Sequence, residues 1–177
     1  MKTLLICHEE ANLDQKGIAR WLASFSNLVG IVVLRETKHQ IWGHIWREVK
    51  RVGIIRSLDV IAFHIYYKLF LSRKDKAWQE QKLDELYGIY PEIPKDISIL
   101  HAHSPNTPEA EQFIRKLSPD IMIARCKTLL KENIFSIPSR GTFIMHPGIC
   151  PEYRNAHGCF WALVNDDLAK VGITFLK

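Results

Sequence analysis

Cysteine is scarce in this 177-residue chain, and Cys7, Cys126, Cys150 and Cys159 form no C-x-x-C pair. So few, so spaced, exclude a dense secreted disulfide framework. Reduced thiols serving as small apolar fillers in a cytoplasmic protein are expected instead. Long apolar runs are missing too. "MKTLLICHEE" has only four or five apolar residues between its lysine and the first acids, too few for a signal peptide, and reads as a first buried strand. "LDVIAFHIYYKLFL", residues 58–71, is apolar except at Asp59, His64 and Lys68; fourteen residues with two charges cannot span a bilayer, so no transmembrane segment is expected. No G-x-G-x-x-G follows the first strand. The acids of "HEEANLDQKG" would repel a pyrophosphate, which weighs against a dinucleotide site. Repeats and low-complexity segments are absent.

What is present has the makeup of a soluble globular protein, 47% hydrophobic and 24% charged, at a length suited to one domain. "TLLIC" at 3–7 and "LVGIVVL" at 28–34 are continuous apolar runs. Between them Ile18, Trp21, Leu22 and Phe25 recur at helical spacing. Strand, helix, strand of this kind predicts an α/β fold on a parallel sheet. Residues 38–90 interrupt the alternation and read as a helical insertion. Ile41, Trp42, Ile45, Trp46 and Val49 mark one helix face, 58–71 a helix buried against the sheet, and 74–88 a charged helix returning toward Pro91 and Pro94. The alternation resumes with "ISILHAHS". Thr107 and Pro108 then open a helix as N-cap and first residue, and strands follow at 120–126, at "GTFIM" and at "VGITFLK".

The net charge of +5 is concentrated. Between Arg47 and Lys76 eight basic residues stand against three acidic ones, an excess equal to that of the whole chain. Such a zone attracts nucleic acid, phosphorylated ligands or an anionic membrane, or is simply a solvated helix face.

"GTFIMHPGICPEYRNAHG", residues 141–158, carries the densest chemistry. His146 ends an apolar strand; Pro147 keeps the backbone before it extended, and Gly148 permits a sharp turn. Ligands bind open α/β sheets outside the carboxyl ends of the strands, where this loop lies. An imidazole there can serve an oxyanion or exchange a proton, or else merely cap the strand through a backbone carbonyl. His8 with Glu9, His101 with His103 and Asn106, and Arg125 with Lys127 come to the same rim from other strand ends. His101, His103, His146 and His157 lack the carboxylate or cysteine partner that a zinc site calls for, so no metal is expected. Cys150 and Cys159, near His157, could act as thiol nucleophiles only with a base beside them.

From Ser118 to Lys177 the chain resembles the catalytic domain of the folate-dependent formyltransferases, which act on methionyl-tRNA, glycinamide ribonucleotide or sugar nucleotides. The shared features are Pro119-Asp120 before a strand, Leu129-Leu130, His146-Pro147-Gly148, Pro151, Tyr153-Arg154 and Trp161-Ala162-Leu163. The first strand, helix and strand match more loosely, and the insertion at 38–90 has no counterpart in the small members.

The resemblance implies a Rossmann-like, mostly parallel sheet that binds 10-formyltetrahydrofolate, whose formyl carbon is attacked by an amine. It puts the catalytic histidine at His146 and the pterin-binding backbone at Lys127, Thr128, Leu129 and Leu130, beside Pro147 and Gly148. His103, Asn106 and Arg154 are expected at the acceptor, a small-molecule or nucleotide-linked amine, with tRNA as a further candidate. Two departures stand out. The family's asparagine two residues before the histidine is replaced by Ile144, with Asn155 as a stand-in within the loop. The family's catalytic aspartate lies beyond Lys177. Residues 1–177 are therefore expected to be an amino-terminal formyltransferase domain cut before that aspartate, its last strand central to the sheet. The alternatives are a non-catalytic ligand-binding protein on the same fold, and a 10-formyltetrahydrofolate hydrolase that uses water as acceptor.

Overall fold

Apolar runs without alternation fold here as strands covered on both faces. In β1 (Lys2–His8) the side chains of Leu4, Leu5, Ile6 and Cys7 are wholly buried, and β2 (Asn27–Leu34) lies parallel beside it. The computed structural model describes residues 1–35, 37, 43, 46, 49, 50, 53, 58, 61–63, 65–154 and 157–177. The expectations for Ile41, Trp42, Ile45, Arg47, Asp59, His64 and Asn155 lie outside the described residues.

The remaining strands are β3 (Ser98–Ala102), β4 (Ile121–Arg125), β5 (Gly141–Pro147) and β6 (Ile173–Leu176), in the spatial order β3-β2-β1-β4-β5-β6. The first five are parallel and β6 runs antiparallel to β5, a mostly parallel Rossmann-like α/β sheet. The last strand is not central as the sequence led us to expect. It pairs antiparallel with β5 at the edge of the described sheet.

Strand side chains alternate between two cores. Leu4, Ile6, Val32 and Leu34 meet Ile114 of α3 (Pro108–Leu117) and Ile134 of α4 (Glu132–Phe135). Leu5, Cys7, Ile31 and Val33 meet Ala19 and Leu22 of α1 (Ala19–Phe25), which a wide π-helical turn at Leu13–Ile18 leads into. As the sequence predicts, Thr107 caps α3: its Oγ1 accepts from the Ala110 N–H at 3.2 Å, a contact worth about 1 kcal/mol. Asp120 fastens the amino ends of three strands. Its carboxylate accepts from the Lys2 N–H at 2.7 Å and from Ser139 Oγ at 3.3 Å, and its backbone carbonyl accepts from Arg140.

The insertion is helical at most of its described residues, but its apolar stretch is not buried against the sheet. Leu58, Ile61, Phe63, Ile65, Tyr66, Leu69 and Phe70 are all at least half exposed. Both faces of the central strands are already covered by α1 and by α3 with α4. The helix α2 (Ser72–Ile89) packs on the outer side of α1, with Leu83 buried and the Arg20 guanidinium 3.9 Å above the Tyr87 ring.

Candidate functional site

The strand order decides where a cleft opens. From β1 the chain runs outward through β2 and β3, then returns to place β4 on the other side of β1. The connections after β1 and β4 therefore depart in opposite directions, and a crevice opens at the carboxyl ends. A cleft of about 730 Å³ lies there, bounded by His8 and Glu9 after β1, Arg35 after β2, Arg125–Leu129 after β4 and Ile144–Pro147 of β5.

On the β5 side, His146 Nε2 lies 3.1 Å from the carbonyl oxygen of Tyr153. A carbonyl only accepts, so Nε2 carries the proton, and in the neutral ring Nδ1 is the acceptor. This is the strand-capping contact open to a histidine at that position, made by a ring that also lines the cleft. Ile144, two residues earlier on the same side of the strand, lines the cleft as well and packs against the core that includes Leu130.

The loop after β5 is held by β6 and by two glycines. Thr174 Oγ1 donates to the Gly148 carbonyl at 2.9 Å and accepts from the Cys150 N–H at 3.1 Å, while Gly148 N–H donates to Gly172 at 2.7 Å. Gly148 has φ 138°, and a Cβ on it would strike the Tyr153 carbonyl and, at 2.8 Å, the Gly158 Cα. A Cβ on Gly158 would strike the Pro147 and Tyr153 carbonyls. The two glycines let the ends of the loop touch, which keeps the Tyr153 carbonyl within reach of His146.

On the β4 side, the segment after Arg125 is pinned through its backbone. The Lys127 N–H donates to His8 Nε2 at 3.1 Å, and the Cys126 thiol donates to the Thr128 carbonyl at 3.3 Å. Asn106 uses both ends of its amide: Nδ2 donates to the Leu129 carbonyl at 2.9 Å, and Oδ1 accepts from the Lys131 N–H at 2.8 Å. Leu129 itself is 86% exposed.

Lys127, Thr128, Leu129, His146, Pro147 and Arg154 are thus brought to one cleft. Leu130, Gly148, His103 and Asn106 are not in its lining: Leu130 faces the core, Gly148 shapes the loop, and His103 Nδ1 donates to the Arg35 carbonyl at 3.3 Å. The Cys159 thiol donates to the Gly172 carbonyl at 3.0 Å. Burial pushes the Cys7 thiol up to about 12 and the Cys126 thiol upward as well. Among the described residues no group of three or more His, Cys, Asp or Glu is placed to hold a metal ion.

Sequence reasoning passed over Asp14. The π-helical turn carries it to the cleft, where burial raises its carboxyl above the ordinary range even though Arg125 Nε lies 3.6 Å away and His8 is near. A wide turn at a cleft and a shifted carboxyl are both marks of functional positions. The signal available in the sequence was an acid four residues before the helical period begins. Arg35, paired with Glu9 at 2.7 Å, closes the same rim.

No family model matches the chain. Among curated proteins it is similar to the methionyl-tRNA formyltransferase of Thermotoga neapolitana, 32% identical over 84 residues, or 47% of this chain and 26% of the relative. The methionyl-tRNA formyltransferase of Geobacter sulfurreducens is 34% identical over 80 residues, 45% of this chain and 25% of the relative. That of Clostridium tetani is 37% identical over 60 residues, 33% and 19% of the two chains. The matched stretch spans about a quarter or less of the length of these curated relatives.

Proposed function

We propose, for a chain that is formyltransferase-like over nearly half its length, a site that takes the formyl group of 10-formyltetrahydrofolate to an amine. The observation that carries this is one cleft at the strand-order switch point, lined both by His146 with Pro147 and by the Lys127–Leu129 segment. The segment offers the pterin an ordered backbone edge. The amine attacks the formyl carbon, its proton passes to His146 Nδ1, and the imidazolium so formed donates to the oxyanion. Collapse of the tetrahedral intermediate returns the proton to the departing folate nitrogen. Nε2 remains on the Tyr153 carbonyl, so the ring turns little between accepting and donating. The rim mixes Arg35, Arg125, Lys127 and Arg154 with Glu9, Glu10 and Asp14, and Arg35 and Arg125 are engaged by Glu9 and Asp14; a phosphorylated or nucleotide-linked acceptor, tRNA included, would be met by Lys127 and Arg154.

A second reading, ligand binding without catalysis, is favoured by Ile144. An aliphatic side chain lies where the family resemblance calls for an amide, and loss of one oxyanion donor typically costs about 10²–10³ in rate.

Calorimetric titration with 5-formyltetrahydrofolate tests the site, and formyl transfer from the 10-formyl donor to added amines tests the chemistry. Binding that Leu129→Pro abolishes and Leu129→Ala spares supports a backbone-read pterin. Transfer lost in His146→Ala supports catalysis, and binding without transfer leaves the second reading. Absence of folate binding sinks both.

A further inference from the structure

The cleft leaves the insertion unexplained. Residues 61–63, 65 and 66 are helical, and a π-helical turn at Tyr67–Leu71 leads into α2. Along this stretch Tyr67 and Leu71 are half-buried, four apart, and mark the inner side. The outer side has two rows at the same spacing: Ile61, Ile65 and Leu69, at 53%, 55% and 67% exposure, and Tyr66 and Phe70, at 50% and 63%. The rings of Tyr66 and Phe70 are centred 5.2 Å apart. A globular protein rarely leaves so much contiguous apolar area in water without a use for it.

The charges beside the rows say what kind of surface they meet. Four positions beyond Leu69 is Arg73, and four beyond Phe70 is Lys74; both are exposed, as are Lys68 and Lys76. Asp75 is the one acid between residues 61 and 76, and its carboxylate is occupied, accepting from Tyr67 Oη at 2.6 Å and from Gln79 Nε2 at 3.0 Å. Each apolar row ends on a cation, and residues 61–76 carry four cations against this one acid. A double row of aliphatic and aromatic side chains bordered by lysine and arginine matches the boundary between acyl chains and anionic headgroups.

We propose that the outer face of residues 61–76 docks on an anionic lipid bilayer, with Ile65, Tyr66, Leu69 and Phe70 in the interfacial layer and Lys68, Arg73, Lys74 and Lys76 on the headgroup phosphates. The chain lies on the surface: no helix among the described residues is long and apolar enough to cross a membrane. This surface is independent of the folate reading and stands or falls separately from it.

The test is co-sedimentation of the purified chain with vesicles of phosphatidylcholine alone and of equal parts phosphatidylcholine and phosphatidylglycerol. Binding is expected to the anionic vesicles, to weaken as salt is raised, and to be marginal on the neutral ones. Leu69→Glu with Phe70→Glu should abolish it. Arg73→Gln with Lys74→Gln, which leaves the rows intact, should weaken it by about fivefold per cation removed. All four side chains are exposed, so circular dichroism melts of the variants should match the parent. Absence of binding, equal binding to neutral vesicles, or binding indifferent to both double variants overturns the proposal. So does a dimer that the Leu69→Glu, Phe70→Glu variant converts to monomer while vesicles are ignored; a second copy would then be the occupant.

Discussion

Replacing Asn106 by alanine removes two hydrogen bonds to the segment after β4, one to the Leu129 carbonyl at 2.9 Å and one from the Lys131 N–H at 2.8 Å. A hydrogen bond contributes about 0.5–1.5 kcal/mol net, and water competes for both of these at an exposed loop, so the low end applies. The pair then amounts to about 1 kcal/mol, or roughly fivefold in the equilibrium between the ordered and open loop. Hydrogen exchange read at the Lys131 amide measures this directly, and exchange should quicken by about that factor. The melting temperature should fall by no more than about 2–4 °C, since the loss is local. Asn106→Asp separates the two bonds: it keeps the acceptor for Lys131 and loses the donor to Leu129. Its Lys131 amide should stay protected where that of Asn106→Ala does not. If folate reads this segment, its affinity in Asn106→Ala falls by at most that factor, the full drop being reached only where the open loop dominates. Unchanged exchange at Lys131 in both variants would refute the clamp. A loss of folate affinity with unchanged exchange would make Asn106 a direct folate contact, where the sequence led us to expect one with the acceptor.

Gly158→Ala should force the loop apart, because the new Cβ meets the backbone carbonyls of Pro147 and Tyr153, which cannot swing aside as a side chain would. Overpacking of this kind costs about 1–3 kcal/mol, seen as a lower melting temperature, and the His146 Nε2 proton signal should lose its hydrogen-bonded shift. Asp120→Asn addresses pH. The Lys2 N–H, followed by Ser139 and nearby positive charge, holds the Asp120 carboxyl below its ordinary value. Its contribution is therefore present above the unfolded-state pKa and lost as pH falls through the depressed one. The stability gap between wild type and Asp120→Asn should shrink on going from about pH 5 to pH 2 in thermal melts, and a constant gap would count against the latch.

The strands were legible because a parallel sheet demands residues that avoid water on both faces, and "TLLIC", "LVGIVVL" and "DIMIARC" meet that demand with no helical alternative of comparable length. Thr107-Pro108 was legible because capping is a local matter. The apolar run at 58–71 misled for the opposite reason. Composition says that a segment avoids water; it does not say whether a sheet face remains vacant, and here α1, α3 and α4 cover both faces of the central strands. The cleft was half legible. His146, Pro147 and Lys127–Leu129 follow from strand ends, which one strand's sequence reveals. Asp14 depends on a π-helical turn, and Asn106 and Thr174 on partners 23 and 26 residues away along the chain, which no local pattern encodes.

The strand order also imposes a schedule. Leu4 pairs with Gly30 on one side and with Met122 on the other. Between those two partners the ribosome adds roughly ninety residues, which at about 5–20 residues per second takes on the order of 5–20 s. For that interval β1 and β2 form a fragment of sheet whose inner edge is bare, while the insertion emerges ahead of the strand that will close it. An unpaired edge of that kind is a template for pairing with another chain. Slow translation between β2 and β4 should therefore lower the yield of native protein without altering its final stability, so the chain's exposure to aggregation is a matter of timing.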